Sequence, residues 1–240
     1  MKPFVQVEQS GVDRTEIRYT WDDGADPDSF FQELDLVFVA RLRPLQTRAV
    51  LAVSLGLLEW IIFRFRPFIV DEFPSQFTEA SWAAMCNFRY LRPDLVDVDQ
   101  WEGPIRGVLR ETLLMVYQVL EATVSALEPE LDCACIYKLA MHTVPESDQV
   151  KDWLDLVIPR LNQLYPRTEE DPVGPPVPRQ FINPDDDPNS EEADYLLANF
   201  LAALDPGADP CLRRSDELLR IGFEGTPYRW DRSQDQDRYL

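Results

Sequence analysis

Residues 49–63, AVLAVSLGLLEWIIF, form the most apolar run of the chain. The run is shorter than the roughly 20 apolar residues that a membrane-spanning helix needs. It also contains Glu59 and lies between Arg48 and Arg64. These features predict a buried helix over 46–65 at the centre of a water-soluble fold. We therefore expect no membrane role for the chain.

Helical periodicity continues on the C-terminal side of this run. From Val150 to Leu164, apolar residues recur at i, i+3, i+4 and i+7, which predicts an amphipathic helix. Pro159 removes the donor to the carbonyl of Asp155, so we expect a kink near Asp155. Residues 104–127 are apolar on most of their circumference and predict a long core helix. The acids of Ser190-Glu191-Glu192 suit the positive end of another helix. Further helices are predicted over 76–90, 131–143 and 193–204.

The N-terminal segment has a different pattern. Residues 4–21 alternate apolar and polar side chains on either side of Ser10-Gly11, which predicts a small β-hairpin. In the loop beyond, Asp26 suits a helix N-cap and Pro27 the first helical turn, so we expect a helix from there to Leu42. Asp26 and Pro27 belong to the sequence GADP at 24–27, which recurs at 207–210. We interpret the second copy as another helix start.

Seven prolines lie between residues 166 and 189 and exclude both a helix interior and a central strand. The PxxP sequence at 175–178 fits either a stiff linker or a segment that binds a polyproline groove. We therefore predict a mainly α protein with a single multi-helix domain. Its parts are a helical body with a small N-terminal β-hairpin over 1–165, a Pro-rich acidic connector over 166–189, and C-terminal helices and a tail that dock on the body over 190–240.

Cysteine and histidine do not form a recognisable site. Cys135 and His142 share a helix face, but at 1.5 Å per residue they lie about 10 Å apart along the axis, beyond hydrogen-bond reach. With Cys133 they supply at most three ligands, at a spacing unlike the common zinc patterns. We expect no metal and no cofactor, and four free, mostly buried thiols at Cys86, Cys133, Cys135 and Cys211.

Common catalytic motifs are missing from the sequence. It contains no GxxxxGK[ST] phosphate loop, no GxGxxG fingerprint and no HExxH zinc motif. Ser54 lies in a helical run and lacks the preceding glycine of a nucleophile elbow. We therefore expect no enzymatic activity. The lesser alternative is an enzyme that uses paired carboxylates, for which two acids of perturbed pKa in one pocket would be the sign.

Charge narrows the class of partner. The 240 residues carry 23 Lys and Arg against 43 Asp and Glu, a net charge of −20. Such a chain repels nucleic acid and anionic membranes and attracts a basic protein. Residues 166–210 contain eleven acids and two arginines, whereas residues 41–66 contain five arginines and one glutamate. We interpret the C-terminal third as the negative end of the molecule.

Two acidic runs, with neighbouring aromatic residues, are the predicted partner-binding sites. Helix capping, turn formation and solvated charge are alternative explanations of the acidic runs. Core packing and docking of the C-terminal tail are the alternative explanations of the aromatic residues. Asp71-Glu72, after Phe68 and Ile69, is a third candidate. The predicted partner-binding residues are Trp21, Asp22, Asp23, Asp26, Asp28, Asp185, Asp186, Asp187, Glu191, Glu192, Asp194, Tyr195, Tyr228 and Trp230.

The start Met1-Lys2-Pro3-Phe4 lacks the pattern of a secretory signal, so we expect a cytoplasmic protein. This feature, the scarcity of catalytic motifs and the runs Trp21 to Asp28 and Asp185 to Asp194 resemble the general character of immunity proteins from bacterial toxin–immunity pairs. The resemblance implies binding to a cognate toxin and occlusion of its active or substrate site. The alternatives are an adaptor or chaperone for a secreted effector, and an acidic mimic of nucleic acid.

Overall fold

The computed structural model describes residues 5–14, 16–24, 30–92, 100–125, 128–145, 147–186 and 189–231. The prediction of a mainly helical single domain is confirmed. Its α-helices are α1 (Val5–Ser10), α2 (Leu36–Leu42), α3 (Thr47–Phe65), α4 (Phe73–Cys86), α5 (Gly103–Ala122), α6 (Pro129–Thr143), α7 (Ser147–Leu164), α8 (Ala193–Ala203) and α9 (Ser215–Arg220). Short 3-10 turns lie at Val12–Arg14, Phe88–Tyr90, Arg179–Ile182 and Ser190–Glu192. Within the described ranges, no helix has both the length and the apolar character that crossing a bilayer requires.

The apolar run 49–63 lies in the central helix, as predicted. Every residue of α3 except Ile62 is buried. Its neighbours are α5 and α6, which pack on it most extensively, and α4 and α7. Gly56 makes the close approach of α7 possible, because a Cβ at this position would lie 2.5 Å from ring atoms of Trp153. The core of the molecule is therefore organised around a helix that water hardly reaches.

Two of the arginines in residues 41–66 are buried and donate hydrogen bonds to backbone carbonyls of other segments. Arg48 donates to the carbonyl of Gly174 over 3.1 Å. Arg64 donates to the carbonyls of Val12, Glu16 and Thr143 over 3.1, 2.7 and 3.2 Å. Both side chains are buried. The positive charge found in this part of the sequence is therefore only partly at the surface.

The described residues do not show the predicted N-terminal hairpin. Val5–Ser10 is a short helix, and Gly11, at φ 68°, follows it in the left-handed conformation typical of a helix end. Residues 16–18 have no regular structure. Alternation over so few residues misled the prediction, because hydrogen bonds from Arg64 to two carbonyls of this segment hold it against the core without strand pairing.

The helix predicted from Asp26 to Leu42 is interrupted in the structure. Asp26 and Pro27 lie outside the described residues. Phe30 and Phe31 are helical, residues 32–35 are not, and the helix that ends at Leu42 begins at Leu36. Its N-cap is Asp35, whose Oδ1 accepts from the N–H groups of Val37 and Phe38 over 2.9 and 3.0 Å. The predicted single helix is therefore two separate segments, and the second has its own N-cap at Asp35.

The Pro-rich connector is a strap packed on the helical body. Its described residues contain no α-helix, as predicted, and Val177, Phe181 and Ile182 are buried in the core. Residues 176–178 of the PxxP sequence are buried as well, which fits the stiff-linker interpretation. A β-bridge between Leu45 and Pro166 marks where the strap leaves α7.

The C-terminal segment docks through aromatic residues. The rings of Tyr90 and Tyr228 stack with centroids 4.5 Å apart, and the N–H of Tyr228 donates to Tyr90 Oη over 3.1 Å. The GADP sequence at 207–210 does not start a helix, because the chain turns there and α9 begins only at Ser215. Asp209 instead accepts the N–H of Cys211 over 2.7 Å and stabilises the turn.

Candidate functional site

A pocket of about 360 Å³ opens between α1, the C-terminal half of α3 and the start of α4. Its lining combines apolar side chains with charged ones. The apolar lining is Ile62, Phe63 and Ile69; the charged lining is Glu8, Glu59, Arg66, Asp71 and Glu72; and two hydroxyls come from Ser75 and Thr78.

The loop of residues 66–72, here called the α3–α4 loop, forms one side of this pocket. Pro67 follows the last residues of α3, where a proline cannot extend the helix without losing a hydrogen bond. The chain turns there, with the N–H groups of Phe68 and Ile69 donating to the carbonyl of Phe65 over 2.8 and 3.1 Å. At the other end, Asp71 Oδ1 accepts the N–H of Phe73 over 3.0 Å, so both ends of the loop are fixed.

Glu59 belongs to the pocket lining and is only 6% exposed. Arg179 of the connector donates to both of its oxygens, over 2.7 and 2.5 Å, and Trp82 Nε1 donates over 3.1 Å. Burial lowers the pKa of Arg179, but the hydrogen bond and charge of Glu59 and the charges of Glu79 and Asp186 outweigh it and raise the pKa above its usual value. The charge of the Glu59 carboxylate is therefore balanced by the charge of Arg179 inside the protein.

Asp71 is the second paired carboxylate of the lining. It forms an ion pair with Arg106, whose guanidinium lies over the Trp101 ring at 4.3 Å from the centroid. Burial lowers the pKa of Arg106 from its ordinary value, and a guanidinium keeps its charge in proteins. Two carboxylates of the charged lining, Glu59 and Asp71, are therefore already paired with arginines of the protein.

Glu8, Glu72 and Arg66 are the open charges of the lining. All three side chains are exposed and form no ion pair with another described residue. The guanidinium of Arg66 lies 5.8 Å from the centroid of Phe63. Two carboxylates and one guanidinium that pair with no described residue therefore line the pocket, which gives its open part a net negative charge.

Large apolar side chains lie exposed beside these charges. On the α3–α4 loop, Val70 is 95% exposed and Phe68 43% exposed, while Ile69 between them turns toward the pocket. Exposed apolar groups with a polar rim are typical of interaction sites. We call the pocket together with the α3–α4 loop the loop–pocket surface.

The first acidic run predicted from the sequence is largely used for local structure. Asp23 accepts from Trp21 Nε1 over 2.9 Å and from the N–H of Gly103 over 2.5 Å, and Asp22 accepts from Gly24 over 2.9 Å. The Trp21 and Asp23 side chains pack so closely on α5 that a Cβ at Gly107 would lie within 2.4 Å of both. Asp26 and Asp28 lie outside the described residues.

The second acidic run combines local bonds with open carboxylates. Asp186 accepts from Asn183 Nδ2 over 2.8 Å, and Glu192 takes part in a capping box with Asn189. Asp185, Glu191 and Glu192 are exposed, and Asp187 lies outside the described residues. The described residues of this run therefore offer charge to solvent and do not line the pocket beside α3.

The four predicted aromatic anchors differ in exposure. Tyr195 is 69% exposed. Tyr228 is buried against Tyr90, and its hydroxyl donates to the carbonyl of Arg213. Trp230 is half-buried and donates from Nε1 to Asp194 over 2.9 Å. Tyr228 and Trp230 thus hold the tail in place, and only Tyr195 presents most of its ring to a partner.

Other chemistry-bearing residues lie away from this surface. All four cysteines are free and buried, and burial raises the pKa of Cys133 to about 12 and that of Cys135 to about 11. His142 Nε2 lies 2.9 Å from the carbonyl oxygen of Thr20. Burial also raises the pKa values of Asp132 and Asp209 to about 6, and neither of these acids lines the pocket. Within the described ranges, no three metal-binding side chains cluster.

The sequence pointed to only part of the loop–pocket surface. Asp71-Glu72 after Phe68 and Ile69 was the third candidate, and the visible signal was an apolar stretch that ends in acids. The contribution of Glu8 was missed because it comes from a helix that the sequence pattern predicted as a strand. Comparison with known protein families, with curated sequences and with solved structures finds no match for the chain.

Proposed function

We propose that the chain is a non-catalytic acidic binding protein whose partner is a basic protein. We further propose that it is a cytoplasmic immunity protein, which neutralises a toxin domain by covering its active or substrate site. The loop–pocket surface carries this proposal, because Phe68 and Val70 are exposed beside the carboxylates of Glu8 and Glu72, which form no ion pair with a described residue. A basic surface with an apolar centre is complementary to it.

Each part of this surface has a distinct energetic role. Covering Phe68 and Val70 removes apolar area from water, which is worth up to about 2 kcal/mol for each side chain that becomes fully buried. The carboxylates contribute more to the rate of association and to the choice of partner than to the final affinity. Affinity is therefore expected to depend on the loop, and selectivity for a basic partner on the acids.

In this proposal, the second acidic run steers a basic partner toward the protein. Asp185, Glu191 and Glu192 are exposed, and the charge of Asp186 reaches Arg179, the residue that binds Glu59 beside the pocket. A field of one sign over a surface accelerates the approach of a partner of the opposite sign. The run therefore supports the loop–pocket surface by attracting a basic partner toward it.

Capture from native lysate tests the proposal when it is combined with matched variants. Val70→Ser removes an exposed apolar side chain from the loop, and Val37→Ser removes one of similar exposure, 73%, from α2. We expect a basic protein to be captured by the wild type and by Val37→Ser, and to be depleted with Val70→Ser. Equal capture by all three would place the interface elsewhere.

A toxicity assay separates immunity from the adaptor alternative. The captured partner is expressed in a sensitive host with and without the chain. Growth that is restored by the wild type and lost again with Val70→Ser supports neutralisation. Stable binding of the purified pair with undiminished toxicity contradicts immunity and favours an adaptor that carries its cargo.

A further inference from the structure

We propose that the pocket of the loop–pocket surface receives one arginine side chain of the partner. Its guanidinium would lie beside Glu8 and Glu72, and its methylene stem against Ile62 and Ile69. This inference rests on the proposed function, since it names the group that the basic partner presents to this site.

The shape and lining of the pocket fit this occupant. At about 360 Å³, its volume lies at the small end of the range for ligand sites in proteins. Ile62, Phe63 and Ile69 give it an apolar wall, and long cationic side chains bury their stems on such surfaces while the charged end stays near water or acids. The two carboxylates that no described side chain neutralises are available to the charged end.

The same region of the protein already holds guanidinium groups in these ways. Arg106 lies over the Trp101 ring at 4.3 Å, Arg66 over Phe63 at 5.8 Å, and Arg179 binds Glu59 through two hydrogen bonds. A guanidinium is delocalised and more weakly hydrated than an ammonium, so it is the better cation for a site that is partly apolar and partly acidic. Arginine therefore fits this pocket better than lysine.

Arg66 would compete with the incoming side chain. It is the cation of the described lining, and its guanidinium already lies over Phe63, the aromatic wall of the pocket. An arginine from the partner would have to displace it and would meet its charge. Removal of Arg66 should therefore strengthen binding, whereas neutralisation of Glu72 should weaken it.

A titration with small amides tests the pocket without the partner. N-acetyl-L-arginine amide is added to the full chain with labelled isoleucine methyl groups, and the NMR signals of Ile62 and Ile69 are followed. N-acetyl-L-citrulline amide, which has nearly the same shape and no charge, is the control ligand. We expect saturable shifts of both signals with the arginine amide and much smaller shifts with the citrulline amide.

Three variants test whether the affinity for the arginine amide changes in the expected direction. Glu72→Gln should weaken binding about two- to five-fold, the size of a partly exposed ion pair, and Arg66→Gln should strengthen it by a similar factor. Glu121→Gln removes an exposed charge of α5 that lies outside the lining and outside both acidic runs, and it should leave the affinity unchanged.

Equal shifts with both amides, the absence of saturable shifts, or weaker binding by Arg66→Gln would overturn the arginine site. These results would leave the proposed function standing if Val70→Ser still loses the captured partner. Conversely, a normal titration with equal capture by Val70→Ser and the wild type would retain the pocket as an arginine site and remove it from the interface.

Discussion

Glu59 and Arg179 are 120 residues apart in the sequence and form a two-pronged ion pair, with N···O distances of 2.7 and 2.5 Å. The pair joins the central helix α3 to the Pro-rich strap beside the wall of the pocket. Because the Glu59 side chain is 5% exposed and that of Arg179 25% exposed, water screens the pair poorly. This ion pair therefore joins the Pro-rich connector to the loop–pocket surface.

Removing one member of this pair should destabilise the fold. Arg179→Leu leaves the carboxylate of Glu59 buried, with the Trp82 hydrogen bond as its one remaining bond to a described residue. Loss of one partner from a buried pair typically costs about 3 kcal/mol or more. We expect a loss of this order in the free energy of unfolding, measured by urea denaturation. The double variant Glu59→Leu/Arg179→Leu removes both charges and should lose much less. Additive losses would contradict an energetically coupled pair.

Gly56→Ala should also destabilise the fold, although alanine is the better helix former. The gain in helix propensity is about 1 kcal/mol. Against it, the new Cβ would lie 2.5 Å from the Trp153 ring, which is buried and donates from Nε1 to the carbonyl of Ile182. Overpacking of a rigid core costs about 1–3 kcal/mol, so we expect a net loss in urea denaturation. An increase in stability would show that α7 can move away from α3.

Asp209 should make stability depend on pH in the mildly acidic range. Burial raises its folded-state pKa to about 6, above the value of about 3.9 in an unfolded chain. The folded state therefore favours the protonated acid, and the stability that this group contributes below about pH 4 is lost as the pH rises toward 6. Its Oδ2 has no hydrogen-bond partner among the described residues, which is consistent with a disfavoured charge.

The variant Asp209→Asn measures this contribution. It keeps an oxygen that can accept from the N–H of Cys211 and removes the titration. Urea denaturation from pH 4 to 7 should show that the variant becomes more stable relative to the wild type as the pH rises. Parallel curves for the two proteins would mean that another group, such as Asp132, governs this range.

The central helix and its neighbours could be predicted from the sequence because their periodicity is strong. The run 49–63 and the pattern from Val150 to Leu164 each match one helix of the structure. The N-terminal segment could not be predicted, because its conformation depends on Arg64, a residue far away in the sequence that binds two of its carbonyls. Short alternating patterns do not contain such long-range information.

The candidate site was harder to predict for the same reason. Acidic runs are visible in a sequence, but whether a carboxylate is free depends on partners such as Trp21 for Asp23, Arg106 for Asp71 and Trp230 for Asp194. Exposure of Val70 depends on how the chain leaves α3. The sequence could therefore indicate acidic and aromatic candidates, but not which of them the fold leaves open.

The second acidic run should affect the rate of association rather than the stability of the complex. Neutralising the three exposed residues together, as Asp185→Asn, Glu191→Gln and Glu192→Gln, should slow association with the captured basic partner several-fold at low salt and reduce its salt dependence. Stopped-flow or surface-based kinetics with the purified pair would measure this. An unchanged association rate would mean that steering comes from another part of the surface.

The affinity of the purified captured partner for three forms of the chain tests the central claim most directly. Calorimetry should give similar dissociation constants for the wild type and Val37→Ser, and a value about ten-fold or more weaker for Val70→Ser, as expected when an apolar contact of about 1.4 kcal/mol is lost. That result would place the loop–pocket surface in the interface. Equal dissociation constants for the wild type and Val70→Ser would contradict the account.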